Sequence, residues 1–278
     1  MVKGADFEWL RGIAGDEESR EWVSRIEEWH RLALGEGKYL EDTDLFWLSL
    51  GNYRIWLRKC NAFSSMDIYT EIFKGGEHFR VPGFSGEDVD LVIDLGANEG
   101  FYTLKVKENN PHCRVIAVEP NPLAFEVLEK NVTSNGLTDV ILVNKAVCDR
   151  EGTMPFQIVP HVSAIGARDL SLQQRPWLKQ EMIRVVDVEC MTLRHLFDEY
   201  GVDRVGVMKL DVEGMEVDIL KGGETVLPRI ERIVVECHSQ EIRDGLKRLL
   251  GQNGFDLVFE EQSKCGDLYF ARHPLEAR

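Results

Sequence analysis

The chain has 278 residues, with 33 Lys and Arg against 48 Asp and Glu, a formal net charge of −15. Apolar residues at 44% and charged residues at 29% are the mixture of a globular chain long enough to bury a core, which excludes disordered, collagen-like and coiled-coil architectures. The acidity argues against a protein whose main task is neutralising nucleic-acid phosphates, because that affinity rests on Lys and Arg.

The start, MVKGADFEWLRG, meets acidic residues at once and has no apolar core, so no signal peptide is expected. No apolar run approaches the ~18 residues of a membrane-spanning helix. The cysteines (Cys60, Cys113, Cys148, Cys190, Cys237, Cys265) form no CxxC pair and several sit in apolar runs. Reduced, buried thiols in a cytoplasmic protein are the expectation.

Five of six tryptophans (Trp9, Trp22, Trp29, Trp47, Trp56) fall in the first 56 residues. That shift in composition predicts a separate, mainly helical N-terminal region, residues 1–88, acting as a cap or lid. From Asp16, the spacing of Trp22, Ile26, Trp29 and Ala33 predicts an amphipathic helix that Gly35 and Gly37 end. A second helix is predicted through LFWLSLGNYRIWLRK, capped by Thr43 or Asp44, and a third over Asp67 to Phe73. GGEHFRVPGFSG reads as turns around a strand.

From residue 89 the rhythm changes. Strands are predicted at 89–95, 113–119, 140–146, 204–211, 232–237, 255–261 and 266–272, with helices at 99–109, 122–135, 192–200, 214–221 and 239–251. Alternating strand and helix means an α/β fold with a mainly parallel sheet covered on both faces. The last two strands are close enough to form a hairpin, which makes the final one antiparallel. Between 151 and 191, strand-like MPFQIV and IRVVDVEC flank a long polar loop, 161–180, and long loops in compact domains are often functional.

The strongest local signal is VIDLGANEGFYT at 92–103, an apolar strand that runs into Asp94, Gly96, Ala97, Asn98 and Gly100 before a helix starts. Glycine lets the backbone approach a ligand, and the new helix offers free N–H groups. The spacing is Gly-x-Asn-x-Gly, not the dinucleotide pattern. Glu119 ends the second strand, 25 residues after Asp94, near the offset at which an acid meets ribose hydroxyls. Pro120 follows it. Asn144, Lys145, Ala146 and Val147 end the third strand, where an adenine ring could be held by backbone groups and flanking apolar side chains.

The second informative block is MKLDVEGMEVDILKGG at 208–223. Period-two alternation places Val207, Lys209 and Asp211 on one face and Met208, Leu210 and Val212 on the other. A Lys inside a central strand needs a partner, for which Glu213, Glu216 and Glu236 are candidates. Asp211 reads either as the N-cap of the following helix or as a site residue. Glu236 and His238 lie at the adjacent strand end, so Asp211, Glu236 and His238 are expected to converge, with His the side chain suited to taking a proton near neutrality.

DLGANEGFYT, VEPNP, NKAVCDREG, VECMTLRHLFDEY, VGVMKLDVEGMEVDILKGG and IVVECHS, in this order, resemble the FkbM family of S-adenosylmethionine-dependent methyltransferases over roughly 89–273. Most specific is Lys-x-Asp-x-Glu-Gly-x-Glu (Lys209, Asp211, Glu213, Gly214, Glu216). The resemblance implies a Rossmann-like class I methyltransferase fold over 89–278, with a seven-stranded, mostly parallel sheet and an antiparallel last strand. It implies S-adenosylmethionine as cofactor and, commonly, O-methylation of a hydroxyl on a sugar or natural product. Asp94, Gly96, Asn98 and Gly100, with Ala97, Phe101 and Tyr102 beside them, would line the methionine end; Glu119 would take the ribose, and Asp211 would sit near the methyl group and acceptor.

Deprotonation of an alcohol acceptor is then expected of Asp211 or His238, with Lys209 fixing the carboxylate. A divalent metal on Asp211, Glu236 and His238 is the less favoured alternative. The expected partner is a small-molecule or glycan-like hydroxyl compound, without membrane association and with a homodimer as an open assembly. The rival readings are a tRNA methyltransferase of the wyosine pathway, which GANEG…VEPNP also resembles, and a catalytically silent cofactor-binding interaction protein. An NAD-dependent oxidoreductase is disfavoured by the glycine spacing. Residues 1–88 carry 11 basic and 17 acidic side chains (net −6) and 89–278 carry 22 and 31 (net −9), so neither part is a basic platform for tRNA.

Overall fold

A computed structural model describes residues 4–163, 166–167, 178–262 and 266–272. Trp177, Cys265 and most of the 161–180 loop lie outside them.

The N-terminal region opens with α1 (Phe7–Ile13) and α2 (Glu17–Glu36). The sequence signals for α2 are realised: the Asp16 carboxylate accepts from the Ser19 N–H at 2.7 Å, and Gly37 ends the helix at φ +62°. The predicted second helix is instead a hairpin, β1 (Leu45–Leu50) and β2 (Tyr53–Arg58), paired antiparallel. Its apolar residues alternate with period two, burying Phe46, Leu48 and Leu50 on one strand and Ile55 and Leu57 on the other. Gly51, at φ +57°, and Asn52 supply a two-residue turn. Full burial of each aliphatic side chain contributes roughly 1.5–3 kcal/mol, so the pattern of burial overrides the uninterrupted apolar look of the run. The third helix, α3 (Ala62–Phe73), begins five residues earlier than expected. The segment 75–86 is turns alone, with no strand.

The elements that follow are β3 (Leu91–Leu95), α4 (Phe101–Asn109), β4 (Arg114–Val118), α5 (Pro122–Ser134), β5 (Val140–Val143), β6 (Ala146–Cys148), β7 (Gly152–Ile158), β8 (Gly166–Ala167), β9 (Arg184–Thr192), α6 (Leu193–Glu199), β10 (Val205–Leu210), α7 (Glu216–Gly222), β11 (Ile230–Glu236), α8 (Gln240–Gln252), β12 (Phe255–Glu260) and β13 (Asp267–Arg272). The main sheet has seven strands in the order β12-β13-β11-β10-β3-β4-β5. β3, β4, β5, β10 and β11 run parallel, and β13 enters antiparallel between β11 and β12.

The predicted third strand, 140–146, is broken in two. Asn144 turns its side-chain amide back onto the carbonyl of Glu119 at 2.8 Å, and the chain leaves the main sheet. β6 then joins β9, β7 and β8 in a second, four-stranded sheet, which accounts for the two strand-like runs around the polar loop.

Alternation along the central strands divides two cores. Ile93, Leu95, Met208, Leu210 and Val235 face α6, α7 and α8. Val92, Val207, Val234 and Tyr269 face the other way, into a core shared with α4, α5 and the buried residues of α1, α2, α3 and the hairpin. The N-terminal region therefore covers the face on which Lys209 and Asp94 stand.

Candidate active site

The candidate site lies at the carboxyl ends of β3, β4, β10 and β11, where an open α/β sheet places its ligand crevice. After β3 the backbone turns through Gly96 at φ +77°, Asn98 at φ +49° and Gly100 at φ +87°. A Cβ on Gly96 would stand 1.8 Å from the carbonyl oxygen of Asp211, so only glycine lets the two loops touch. The N–H groups of Gly96 and Ala97 both donate to Val118, at 3.0 Å each, and Asp211 N–H donates to Leu95 at 3.1 Å. Three strand ends are thereby locked together.

Lys209 pairs in register with Asp94 on the neighbouring strand. Its ammonium donates to the Gly96 carbonyl at 2.7 Å and lies 3.4 Å from Asp94 and 3.4 Å from Asp211. The predicted partners Glu213 and Glu216 are not the ones used: both turn toward His238 instead. Burial alone would lower the Lys209 pKa, but Asp94, Asp211 and Glu236 together raise it, so the ammonium stays charged. Thr103 donates to the far oxygen of Asp94 at 2.8 Å, and the Tyr102 ring lies 5.7 Å from the ammonium. Phe101 is buried edge-on to Tyr69.

Glu119, at the end of β4, is 6% exposed. Its two oxygens accept from the N–H groups of Asn98 at 2.8 Å and Asn121 at 2.7 Å, leaving further lone pairs on each. Burial pushes its carboxyl up to about 7 despite those two bonds. Asn98 Oδ1 is buried without a hydrogen-bond partner. Asn144 braces the Glu119 backbone, whereas Lys145 turns to Glu189, 3.5 Å away, and Ala146 starts β6.

Asp211, Glu236 and His238 do converge. His238 Nε2 lies 3.8 Å from Asp211 and 3.7 Å from Glu213, and Nδ1 lies 3.1 Å from Glu216. Burial would lower the His238 pKa, but Glu216, Glu213, Asp211 and Glu236 drive it well above the usual imidazole value. Burial raises the Asp211 carboxyl, and Lys209, His238 and His78 outweigh that and hold it below its ordinary value. Glu236 moves the other way, well up, because of burial and then the neighbouring Asp211 charge. Asp211 is not a helix cap: α7 starts at Glu216, its N-cap is Met215, and no side chain caps it.

Sequence reasoning missed several groups at this site. His78 comes from the N-terminal turns, is 4% exposed and sits at φ +62°. Its backbone N–H and Nδ1 both meet the Asp267 carboxylate, at 3.1 Å and 3.0 Å. Asp267 pairs across the sheet with Glu236, so strand alternation from Tyr269 could have placed it; nothing in EHFRVPG marks His78. On the other side of the glycine turn, buried Glu99 meets the side chains of Asn61 at 2.6 Å and Ser163 at 3.3 Å. Burial raises the Glu99 pKa to about 7.

A seven-stranded sheet with one reversed strand, a glycine turn after its first central strand and an acid ending the next define the Rossmann-like class I methyltransferase fold, and the protein is an S-adenosylmethionine-dependent methyltransferase. The chain belongs to the FkbM methyltransferase family: the model described as "Methyltransferase FkbM domain" matches residues 94–269. It is similar to Methyltransferase sdnD of Sordaria araneosa, with 29% identity over 205 residues, covering 64% of this chain and 78% of that protein. It is also similar to 31-O-demethyl-FK506 methyltransferase FkbM of Streptomyces tacrolimicus, 27% identical over 228 residues, covering 72% and 85%. Hexuronic acid methyltransferase AglP of Haloferax volcanii is 26% identical over 188 residues, covering 67% and 72%. Among the described residues, no helix is long and apolar enough to cross a membrane.

Proposed function

We propose that the protein O-methylates a hydroxyl group of a small molecule, sugar or natural product, in the crevice at the carboxyl ends of β3, β4, β10 and β11. The carrying observation is the charged row Asp94–Lys209–Asp211, which stands beside a glycine turn that no side chain could occupy. The similarity to a 31-O-demethyl-FK506 methyltransferase and to a hexuronic acid methyltransferase supports a hydroxyl-bearing acceptor.

The chain's polar groups fit the cofactor. Glu119 has lone pairs left for two vicinal hydroxyls, and the buried Asn98 Oδ1 needs a donor. Gly96, Ala97 and Gly100 bring backbone close enough to hold the methionine end, and Asn144 keeps the Glu119 strand end in place for the adenosine end. S-adenosylmethionine held by these residues would supply an activated methyl group on its sulfonium, for transfer to the acceptor oxygen with the C–S bond electrons kept by sulfur.

The chain itself must orient the hydroxyl in line and take its proton. Asp211 is the proposed proton acceptor, ionised and at the crevice edge. Lys209, 3.4 Å away, fixes its carboxylate. His238 is already charged among Glu216, Glu213 and Asp211. It therefore serves as an electrostatic partner that orients Asp211, not as the base. Residues 1–88 are proposed as a cap on residues 89–278, since they fill the sheet face beneath the site. A reducing, cytoplasmic setting is part of the same proposal, supported by five described cysteines without a disulfide.

Incubation with labelled S-adenosylmethionine and fractionated extract, with and without RNase, tests the acceptor class; label resistant to RNase is expected, and label lost on RNase treatment would transfer the assignment to RNA. Asp211→Asn is expected to lower kcat by about 10²–10⁴ while calorimetric affinity for S-adenosylhomocysteine stays within about threefold. Undiminished turnover would remove Asp211 from the role of base.

A further inference from the structure

Side chains of Asp211, Glu236 and Asp267 belong to one row across the sheet. Leu210 pairs with Val235, and Glu236 with Asp267, so the row lies two residues past the Lys209–Asp94 pair and on the same face. His78 descends onto it from the N-terminal region. One ligand-capable atom from each of His78, Asp211 and Glu236 lies within 4.8 Å of the others. Donor atoms on a single ion lie about 3–4 Å apart when each bond is about 2.0–2.5 Å, so sub-ångström side-chain adjustment closes the set.

Two features separate this group from an ordinary acidic cluster. The first is the imidazole. His78 is almost wholly buried, its Nδ1 is engaged by both oxygens of Asp267 at 3.0 and 3.1 Å, and no hydrogen bond among the described residues reaches its Nε2. Burial opposes the charged ring, but Asp267 favours the protonated form in the free site, so an ion would displace that second proton. The carboxylate behind one ring nitrogen then fixes the tautomer and leaves the other as an acceptor, the usual support of a metal-bound histidine. The second is the pair of carboxylates. Asp211 and Glu236 stand at adjacent strand ends, with Lys209 3.4 Å and His238 3.8 Å from Asp211, and Lys209 is shared with Asp94. Asp211 is only partly covered, with 27% of its side chain exposed, so coordination positions would be left open toward an acceptor.

We propose that His78, Asp211 and Glu236 form a binding site for one divalent cation, with Asp267 as the positioning residue behind His78. This rests on the reading of the crevice as the place where the acceptor hydroxyl is held, and it deepens that reading. Two carboxylates and an imidazole suit Mn²⁺ or a comparable divalent first-row ion. The ion would lower the pKa of a hydroxyl bound in an open position, and the Asp211 oxygen not on the ion would take its proton. His238 is excluded from the ligand set by its commitment to Glu216. The segment that supplies His78 lies before residue 94, so the family-matched stretch does not contain the whole site.

The test is Mn²⁺ titration of the full chain, read by electron paramagnetic resonance, with S-adenosylhomocysteine binding measured in parallel by calorimetry. One Mn²⁺ per chain is expected. His78→Ala and Glu236→Gln should weaken it at least tenfold, Asp267→Asn about 10–100-fold, and His238→Ala less than threefold. Absence of Mn²⁺ binding up to 1 mM in the wild type, or undiminished binding by both His78→Ala and Glu236→Gln, overturns the site. If His78→Ala fails to fold, Asp267→Asn and Glu236→Gln decide alone. Loss of S-adenosylhomocysteine binding in the wild type would instead count against the reading of the crevice, so the two failures are distinct.

Discussion

Burial sets the chemistry of Glu119. Its carboxyl, raised to about 7 by desolvation, must be ionised to accept from two hydroxyls. Below pH 7 one oxygen carries a proton and loses acceptor capacity; above it both accept. Affinity for S-adenosylhomocysteine should therefore rise about tenfold from pH 6 to pH 8, following the ionised fraction of a single group. The sign for folding is the reverse: the folded chain holds this proton more tightly than the unfolded one, so stability is lost as pH rises through about 7. Calorimetry at both pH values checks the affinity, and Glu119→Gln should abolish the pH dependence. A flat wild-type profile would mean that Glu119 does not receive the ribose.

At the scale of elements, the hairpin and α5 explain how the N-terminal region is fastened. Asn131 on α5 and Asn135, its C-cap, stand one helical turn apart. They meet alternate residues of β2: Trp56 N–H donates to Asn131 at 2.7 Å, and Arg54 N–H donates to Asn135 at 2.8 Å. Each amide also donates back to a carbonyl of the same residue. The helix thus completes the open edge of the hairpin as a neighbouring strand would. Asn131 donates in addition to Glu99, in the glycine turn, at 2.8 Å, which couples the edge to the crevice. Asn131→Ala should cost about 1–3 kcal/mol in urea denaturation, because it leaves the buried Glu99 carbonyl and the half-buried backbone groups of Trp56 without their partner. A loss under 0.5 kcal/mol would show that water replaces the amide at no penalty.

For the whole molecule, the shared core decides cooperativity. Phe7, Leu10, Leu48 and Tyr69 pack in one cluster with Val92, Val207 and Val234 of the central strands. A lid that swings freely would need its own core, and these residues have none apart from the sheet. The full chain should therefore unfold in a single calorimetric transition, with van't Hoff and calorimetric enthalpies equal. Two resolved transitions would mean that residues 1–88 melt separately and that the cap is mobile.

Local pattern alone determined much of this protein. The switch to strand–helix alternation at residue 89, the glycine turn with its acid at Glu119 and the face shared by Lys209 and Asp211 all follow from periodicity and turn chemistry, which act within a few residues. The hairpin at 45–58 was legible too, in its two-residue Gly-Asn turn, but an apolar run with aromatic residues satisfies helix and strand patterns alike until something covers one face. What only the tertiary structure decided is pairing across distance. Lys209 chose Asp94 over Glu213 and Glu216 because strand order set Asp94 beside it. His238 took those glutamates instead. His78 reached Asp211, Glu236 and Asp267 because the N-terminal region packs over that face of the sheet, and no spacing along the chain encodes a contact made by packing between segments so far apart.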